Sequence, residues 1–158
     1  MVEFFEGIHE ALTVYVRALA WWHAVPKEPP SRNRRVPKQE PERLSRLDMR
    51  INAGGELDLP DIDPALTYLI GWLMEAGPMS AAGIGPVPLT WLDLDAWQRC
   101  TGVRVQPWEA RLLRRLSGDY LDELNNAEAH DAPAPWIPES TVERRTKVAT
   151  HIRNILRG

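Results

Sequence analysis

The placement of the prolines constrains this chain more than any other feature. Five of the 14 fall between Val25 and Glu42, in VPKEPPSRNRRVPKQEPE, and Pro133, Pro135 and Pro138 flank Trp136. Proline lacks an amide hydrogen and clashes with the preceding turn of a helix, so neither stretch continues a helix or enters the interior of a sheet. The first stretch is charged and nearly free of apolar side chains beyond Val25 and Val36, too few to offset the entropy of ordering it. It reads as a flexible or extended linker. Pro64 and Pro107 stand instead at helix starts, where a missing amide hydrogen costs nothing.

Between these punctuation marks the apolar residues recur at steps of three and four, the period of a helix with one buried face. Phe5, Ile8, Leu12, Tyr15, Val16, Leu19 and Trp22 make one such stripe, ended by Pro26. Leu44 and Leu47 suggest a short helical turn, and Ala53-Gly54-Gly55 a break before the extended ELDLPDID. Asp63-Pro64 then opens a helix with Leu66, Leu69, Ile70, Leu73 and Met74 as its stripe and Tyr68 and Trp72 flanking it, and Gly77-Pro78 ends it. The following GPMSAAGIGPVP reads as a loop. Its Gly83-x-Gly85 is too short for a dinucleotide fingerprint and lacks the Lys-Ser/Thr of a phosphate loop.

Thr90 and Asp93 have the spacing of a capping box, opening a helix that runs to about Cys100. On it Trp91, Leu94, Trp97 and Cys100 are expected to line an inward face. Thr101-Gly102 closes it, and Pro107 starts another helix striped by Trp108, Leu112, Leu113, Leu116, Tyr120, Leu121 and Leu124, so that TGVRVQP joins an αα-hairpin. Ser140 and Glu143 form a second capping box before Val148, Ile152, Ile155 and Leu156, ringed by Arg144, Arg145, Lys147, Arg153 and Arg157.

The organisation that follows is an N-terminal amphipathic helix over 1–25, a basic Pro-rich linker and extended segment over 26–62, and a central helical domain over 63–126. A Pro-rich linker over 127–139 and a C-terminal basic helix over 140–158 complete it. The expected fold class is all-α, a small helical core with amphipathic end helices that either close that core or reach other subunits. At 158 residues and 44% hydrophobic content, the chain can bury one core but is too small for two catalytic domains.

A net charge of −3 gives no global attraction to nucleic acid or an anionic membrane. The charge is nonetheless segregated: residues 26–50 hold eight basic and four acidic side chains, residues 51–98 hold seven acidic and no Lys or Arg, and residues 139–158 hold five basic and two acidic. These segments serve as solvated faces, meet different partners or fold against each other. The stretch from Ala11 to Val25 is too short and too interrupted, by Arg17, for a membrane span, and acidic residues precede it where a signal peptide would be basic.

Chemistry is hard to place. Cys100 is alone, which excludes an internal disulfide and fits a reducing cytoplasm, and His9, His23, His130 and His151 lack metal-ligand spacing. The Asp63 and Asp93 carboxylates are explained as caps, leaving Asp61 and Asp95 as exposed acids. Glu109 would be a general acid only if burial raised its pKa, and a first-turn position explains it more simply. The expectation is a chain with no catalytic, cofactor-binding or metal residues and no cofactor.

One stretch carries a family resemblance. Trp72 and Glu75 stand before a Gly-rich loop, Gly85-Pro86 leads to Pro88-Leu89-Thr90, Trp97 is followed by Thr101-Gly102, and Pro107-Trp108-Glu109 precedes Leu112, Leu116 and Tyr120. Within residues 64–136 this resembles the tail assembly chaperones, or tail assembly proteins, of long-tailed bacteriophages and prophages. The resemblance implies a non-enzymatic protein that binds the apolar, helical tape measure protein during tail assembly, keeps it soluble and helps recruit tail tube subunits. It also implies a place in the bacterial host cytoplasm and, in many members, a short and a long form made by programmed frameshifting.

Two other classes compete with it. A small nucleic-acid-binding regulator would use Arg32, Arg34, Arg35 and the basic last helix, although no aromatic residues are interleaved with that run, so nucleic acid is not the expected partner. An enzyme would have to centre on Cys100 or Glu109. Of the seven Trp residues, Trp72, Trp91, Trp97 and Trp108 are core candidates first and Trp21, Trp22 and Trp136 lie at the edges of the connections. Trp21, Trp22, Trp72 and Trp136 are the candidates for partner binding, a second copy of the chain being one possible partner.

Overall fold

The computed structural model describes residues 2–28 and 42–136, and the side chains of the first helix from Glu6 onward. The helix expected over 140–158, its Ser140–Glu143 box, and Arg32, Arg34 and Arg35 lie outside the described residues. Helix α1 spans Val2–His23, α2 spans Arg46–Asn52, and a 3₁₀ turn at Pro64–Leu66 leads into α3, Thr67–Ala76. A two-stranded hairpin follows, β1 Ser80–Ala82 and β2 Gly85–Val87, and then α4, Trp91–Thr101, and α5, Pro107–Asn126.

The chain is mostly helical, and the all-α expectation is corrected by that hairpin. Residues taken as loop pair antiparallel, Ser80 with Val87, Ala81 with Pro86 and Ala82 with Gly85. Strands of three residues without a β-branched run leave no alternating pattern to read. The hairpin rests on its turn, where Gly85 adopts φ +145°, open only to glycine, and Pro86 is tolerated because it lies on an edge.

The helix ends follow local chemistry. Asp63 accepts the Ala65 amide at 2.9 Å and Pro64 takes the first position. Thr90 and Asp93 cap reciprocally, the Thr90 amide donating to Asp93 at 2.8 Å and the Asp93 amide to Thr90 Oγ1 at 3.2 Å. The Thr90 hydroxyl, 2.6 Å from Asp93 Oδ2, and then the Thr90 amide, with a smaller contribution from Ser80, hold the Asp93 carboxyl below its ordinary range against the effect of burial. Gly102 ends α4 at φ +75°, the left-handed cap. Ser45 and Asp48 form a further box at the start of α2.

The core gathers Leu12, Val16 and Ala20 of α1, Leu69, Ile70 and Leu73 of α3, Leu94 and Trp97 of α4, and Leu112, Leu113, Leu116 and Tyr120 of α5. Complete burial of a Leu-sized side chain is worth about 1.5–3 kcal/mol, so Leu12 and Val16, both 0% exposed, make α1 part of this core. α5 packs most extensively on α1, while α4 leans mainly on α3, so the expected α4–α5 hairpin is not the dominant helix pair.

The inward face expected of α4 is corrected too. Leu94 and Trp97 are buried, but Trp91 is 52% exposed and Cys100 is exposed. Each step of three residues falls short of a full turn by about 60°, so four such positions fan over roughly half the helix. Only the middle pair faces inward. Ser117, fully buried on α5, accepts the Leu89 amide at 2.7 Å and donates to the Pro78 carbonyl at 2.8 Å, fixing both ends of the hairpin.

Candidate protein-binding site

Trp21, Trp22 and Trp136 are brought together at the C-terminal end of α1. Trp21 meets Trp22 edge-on at 5.0 Å and Trp136 edge-on at 5.4 Å, and Trp22 lies 6.1 Å from Trp136. Each indole N–H is spent within the chain: Trp21 donates to the Ala132 carbonyl at 3.0 Å, Trp22 to the Asp58 carbonyl at 2.9 Å, and Trp136 to the Asp58 carboxylate at 3.5 Å. Residues 127–136 therefore fold back on α1. Trp72 is elsewhere, between Tyr68 at 4.7 Å and Trp97 at 6.0 Å.

Arg46 fixes this end of the molecule. It is 7% exposed, and its guanidinium donates to the carbonyls of Ala127 at 2.6 Å, Ala129 at 2.9 Å and Trp21 at 3.4 Å while lying 4.5 Å above the Trp21 ring. Its own amide donates to Ala24 at 3.1 Å. Burial lowers its pKa, partly offset by Glu123, whose carboxyl is itself raised by burial against the pull of Arg17 and Arg46. Nothing in the sequence singled out Arg46. The signal that was available is its place at the first position of a capped helix amid otherwise exposed basic residues.

Beside Arg46 is a cleft of about 460 Å³, lined by Pro26, Glu28, Leu44, Arg46, Met49 and His130 among others. Its neighbourhood leaves large apolar side chains in solvent: Leu44 is 40% exposed, Met49 44% and Ile51 58%. The floor is rigid, because Arg46 is held on several sides, and the rim is apolar with charged flanks. An apolar side chain seated there would be drawn out of water.

The groups with reactive potential are arranged otherwise. Glu109 is 7% exposed and both carboxylate oxygens are occupied, one by the Tyr68 hydroxyl at 2.8 Å and one by the Gln106 amide at 2.7 Å. Burial first, and then Glu109, push the Tyr68 phenol up to about 12. Missed in the sequence is a Thr13, His9 and Asp119 group between α1 and α5. His9 Nε2 lies 2.7 Å from Asp119 Oδ2 and 3.2 Å from Thr13 Oγ1, and Thr13 Oγ1 donates to the same Asp119 oxygen at 3.1 Å. A nucleophile relay runs hydroxyl to one ring nitrogen and acid to the other. Here both partners use the same nitrogen, so the group acts as a clamp between helices.

His23 Nδ1 meets the Tyr120 hydroxyl at 2.7 Å across the same pair of helices. Burial lowers the His23 pKa, against the upward pull of Asp48, and burial pushes Tyr120 up to about 12. A neutral imidazole therefore faces a protonated phenol, and one hydrogen bond joins them, its direction set by the imidazole tautomer. Among the described residues no cluster of three or more His, Cys, Asp or Glu could hold a metal ion, and no helix is long and apolar enough to cross a membrane. No family model, curated protein or solved structure matches this chain.

Proposed function

We propose that this chain is a non-enzymatic tail assembly chaperone, or tail assembly accessory protein, of a long-tailed phage, acting in the cytoplasm of the bacterial host. Its role is to hold an apolar helical segment of the tape measure protein, and the tail tube protein is a possible second partner. The observation that carries this reading is the cleft beside Arg46, where Leu44 and Met49 of the lining stand exposed. The resemblance over residues 64–136 suggests the partner, and the exposed apolar side chains at the cleft are compatible with it.

The binding mode is an amphipathic helix laid in a groove, with anchors repeating at three and four residues. Each anchor that buries a Leu or Met on this chain contributes about 1.5–3 kcal/mol. Co-expression with overlapping tape measure fragments, followed by titration of the retained fragment, tests it. Leu44→Asp with Met49→Asp is expected to weaken binding by about 100-fold or more. Recovery of no fragment by the folded wild-type protein overturns the reading. A nucleic-acid regulator would instead show affinity falling steeply with salt, whereas a largely apolar contact responds little.

A further inference from the structure

A second surface, independent of the cleft, lies on the outer side of α5. Arg111, Arg114 and Arg115 occupy the side of the helix opposite Leu113, Leu116 and Tyr120, and with Trp91 they line a shallow opening of about 300 Å³. Arg114 is held in place: its Nε donates to the Leu89 carbonyl at 3.0 Å and its guanidinium lies 4.3 Å above the Trp91 ring. Arg111 and Arg115 are exposed, one turn apart, and none of the three pairs with a carboxylate among the described residues. Like charges at this spacing repel and weaken a helix. An arrangement that costs stability and lacks a counter-charge among the described residues is suited to an anionic partner.

The chain carries a matching acidic edge. Residues 51–98 contain seven acidic side chains and no Lys or Arg, and Glu56, Asp58, Asp61 and Asp63 are exposed along an extended segment. Ile62 packs against the core, so Asp61 and Asp63 on either side of it share the outward face. Two residues of extended chain advance about 6.7 Å, and Arg111 and Arg115, four residues apart on a helix, are separated by about 6 Å along its axis. Asp63 uses Oδ1 for its cap, which leaves Oδ2 for a guanidinium. Trp91 and Leu92, 52% and 79% exposed, add apolar area at the margin.

We propose that the arginine face of α5 in one copy receives the Asp61–Asp63 edge of a second copy. Two different patches meet, so the contact is either made twice in a two-fold pair or propagates head-to-tail into a ring or an open string. Stacking of a nucleobase is disfavoured because Arg114 already covers one face of Trp91. The contact is electrostatic and rim-like, hence weak and salt-sensitive.

Sedimentation of the full chain over a range of concentrations tests this. At low salt the average mass is expected to rise with concentration, and to return to that of the monomer near 0.5 M salt, where screening acts over about 4 Å. R111E/R115E and D61K are each expected to weaken association at least tenfold. Mixed together they are expected to associate again, because the acidic edge of one meets the basic face of the other and the two reversed patches are once more opposite in charge. Both alter exposed side chains and spare the Asp63 cap, and R111Q/R115Q replaces the reversal if the charge-reversed protein does not fold. A wild-type chain that stays monomeric at low salt, or association that persists in folded R111E/R115E, overturns the proposal. So does a monomer that binds single-stranded DNA and loses that binding in R111E/R115E, which would give the face to nucleic acid.

Discussion

The Arg46 guanidinium lies 4.5 Å above the Trp21 ring while hydrogen-bonding carbonyls on both sides of it, so one cation joins the end of α1 to the turn after α5. Removing it uncovers a ring and takes the partner from the buried Ala127 carbonyl and from two partly buried ones together. Arg46→Met is expected to destabilise the fold by about 2–4 kcal/mol in chemical denaturation. Arg46→Lys should recover less than half of that, since an ammonium lacks the planar fork that reaches Ala127 and Ala129 at once.

Ser117 bridges the chain before β1 and the chain after β2. Ser117→Ala leaves the Leu89 amide and the Pro78 carbonyl without this partner, at a cost of about 1–3 kcal/mol. Hydrogen exchange provides the local readout: the Leu89 amide should lose protection by more than the amides of α1. Equal loss at both sites would mean that Ser117 contributes only to global stability.

His23 sets a pH dependence. Burial favours its neutral form, so the folded-state pKa lies below 6.5 and the contribution to stability is fully present above that value. It is lost as pH falls through 6.5 toward the lower folded-state pKa, because the unfolded chain takes up the proton first. Glu123 works in the opposite sense: its raised carboxyl favours the fold below 4.5, and that benefit fades as pH rises through its folded-state value. Unfolding free energy should therefore decline between pH 7 and pH 5.5, and His23→Gln should flatten that decline.

Gly102 ends α4 with a positive φ, +75°, and an added Cβ would meet open space. Its substitution thus tests backbone strain without steric conflict. Gly102→Ala is expected to cost about 1 kcal/mol, lowering Tm by a few degrees. A neutral result would show that the α4–α5 connection can relax into another cap.

The residues that act through their own neighbours were legible in the sequence. The cap pairs Thr90–Asp93 and Asp63–Ala65 and the stop at Gly102 depend on contacts a few residues apart, and the stripes of α1, α3 and α5 follow from helical period. The hairpin was not legible, because strands of three residues leave no alternation. Nor was the outward position of Trp91 and Cys100, since a four-step stripe on a short helix is wider than the face it buries. At the candidate site the reading isolated Trp21, Trp22 and Trp136 as a set, but not their mutual packing. That packing is decided by Arg46 and Asp58, distant in sequence from Trp136 and of types that ordinarily face solvent, and by the backbone of Ala132, whose carbonyl no sequence pattern marks. Conversely, Trp72 was grouped with them by residue type alone, and the fold sends it to a different neighbourhood.

The pairing of α1 with α5 imposes an order on biosynthesis. His9 and Thr13 close on Asp119 across sequence separations of 110 and 106 residues. At about 5–20 residues per second, the ribosome has α1 outside before α5 exists for roughly 5–20 s. Throughout that interval the stripe of Leu12, Val16 and Leu19 has no cover, and any product released before Tyr120 keeps it bare. The nascent chain of a protein whose proposed task is to shelter an apolar helix thus presents an apolar helix in need of shelter, and its yield in cells should depend on how soon the second half arrives.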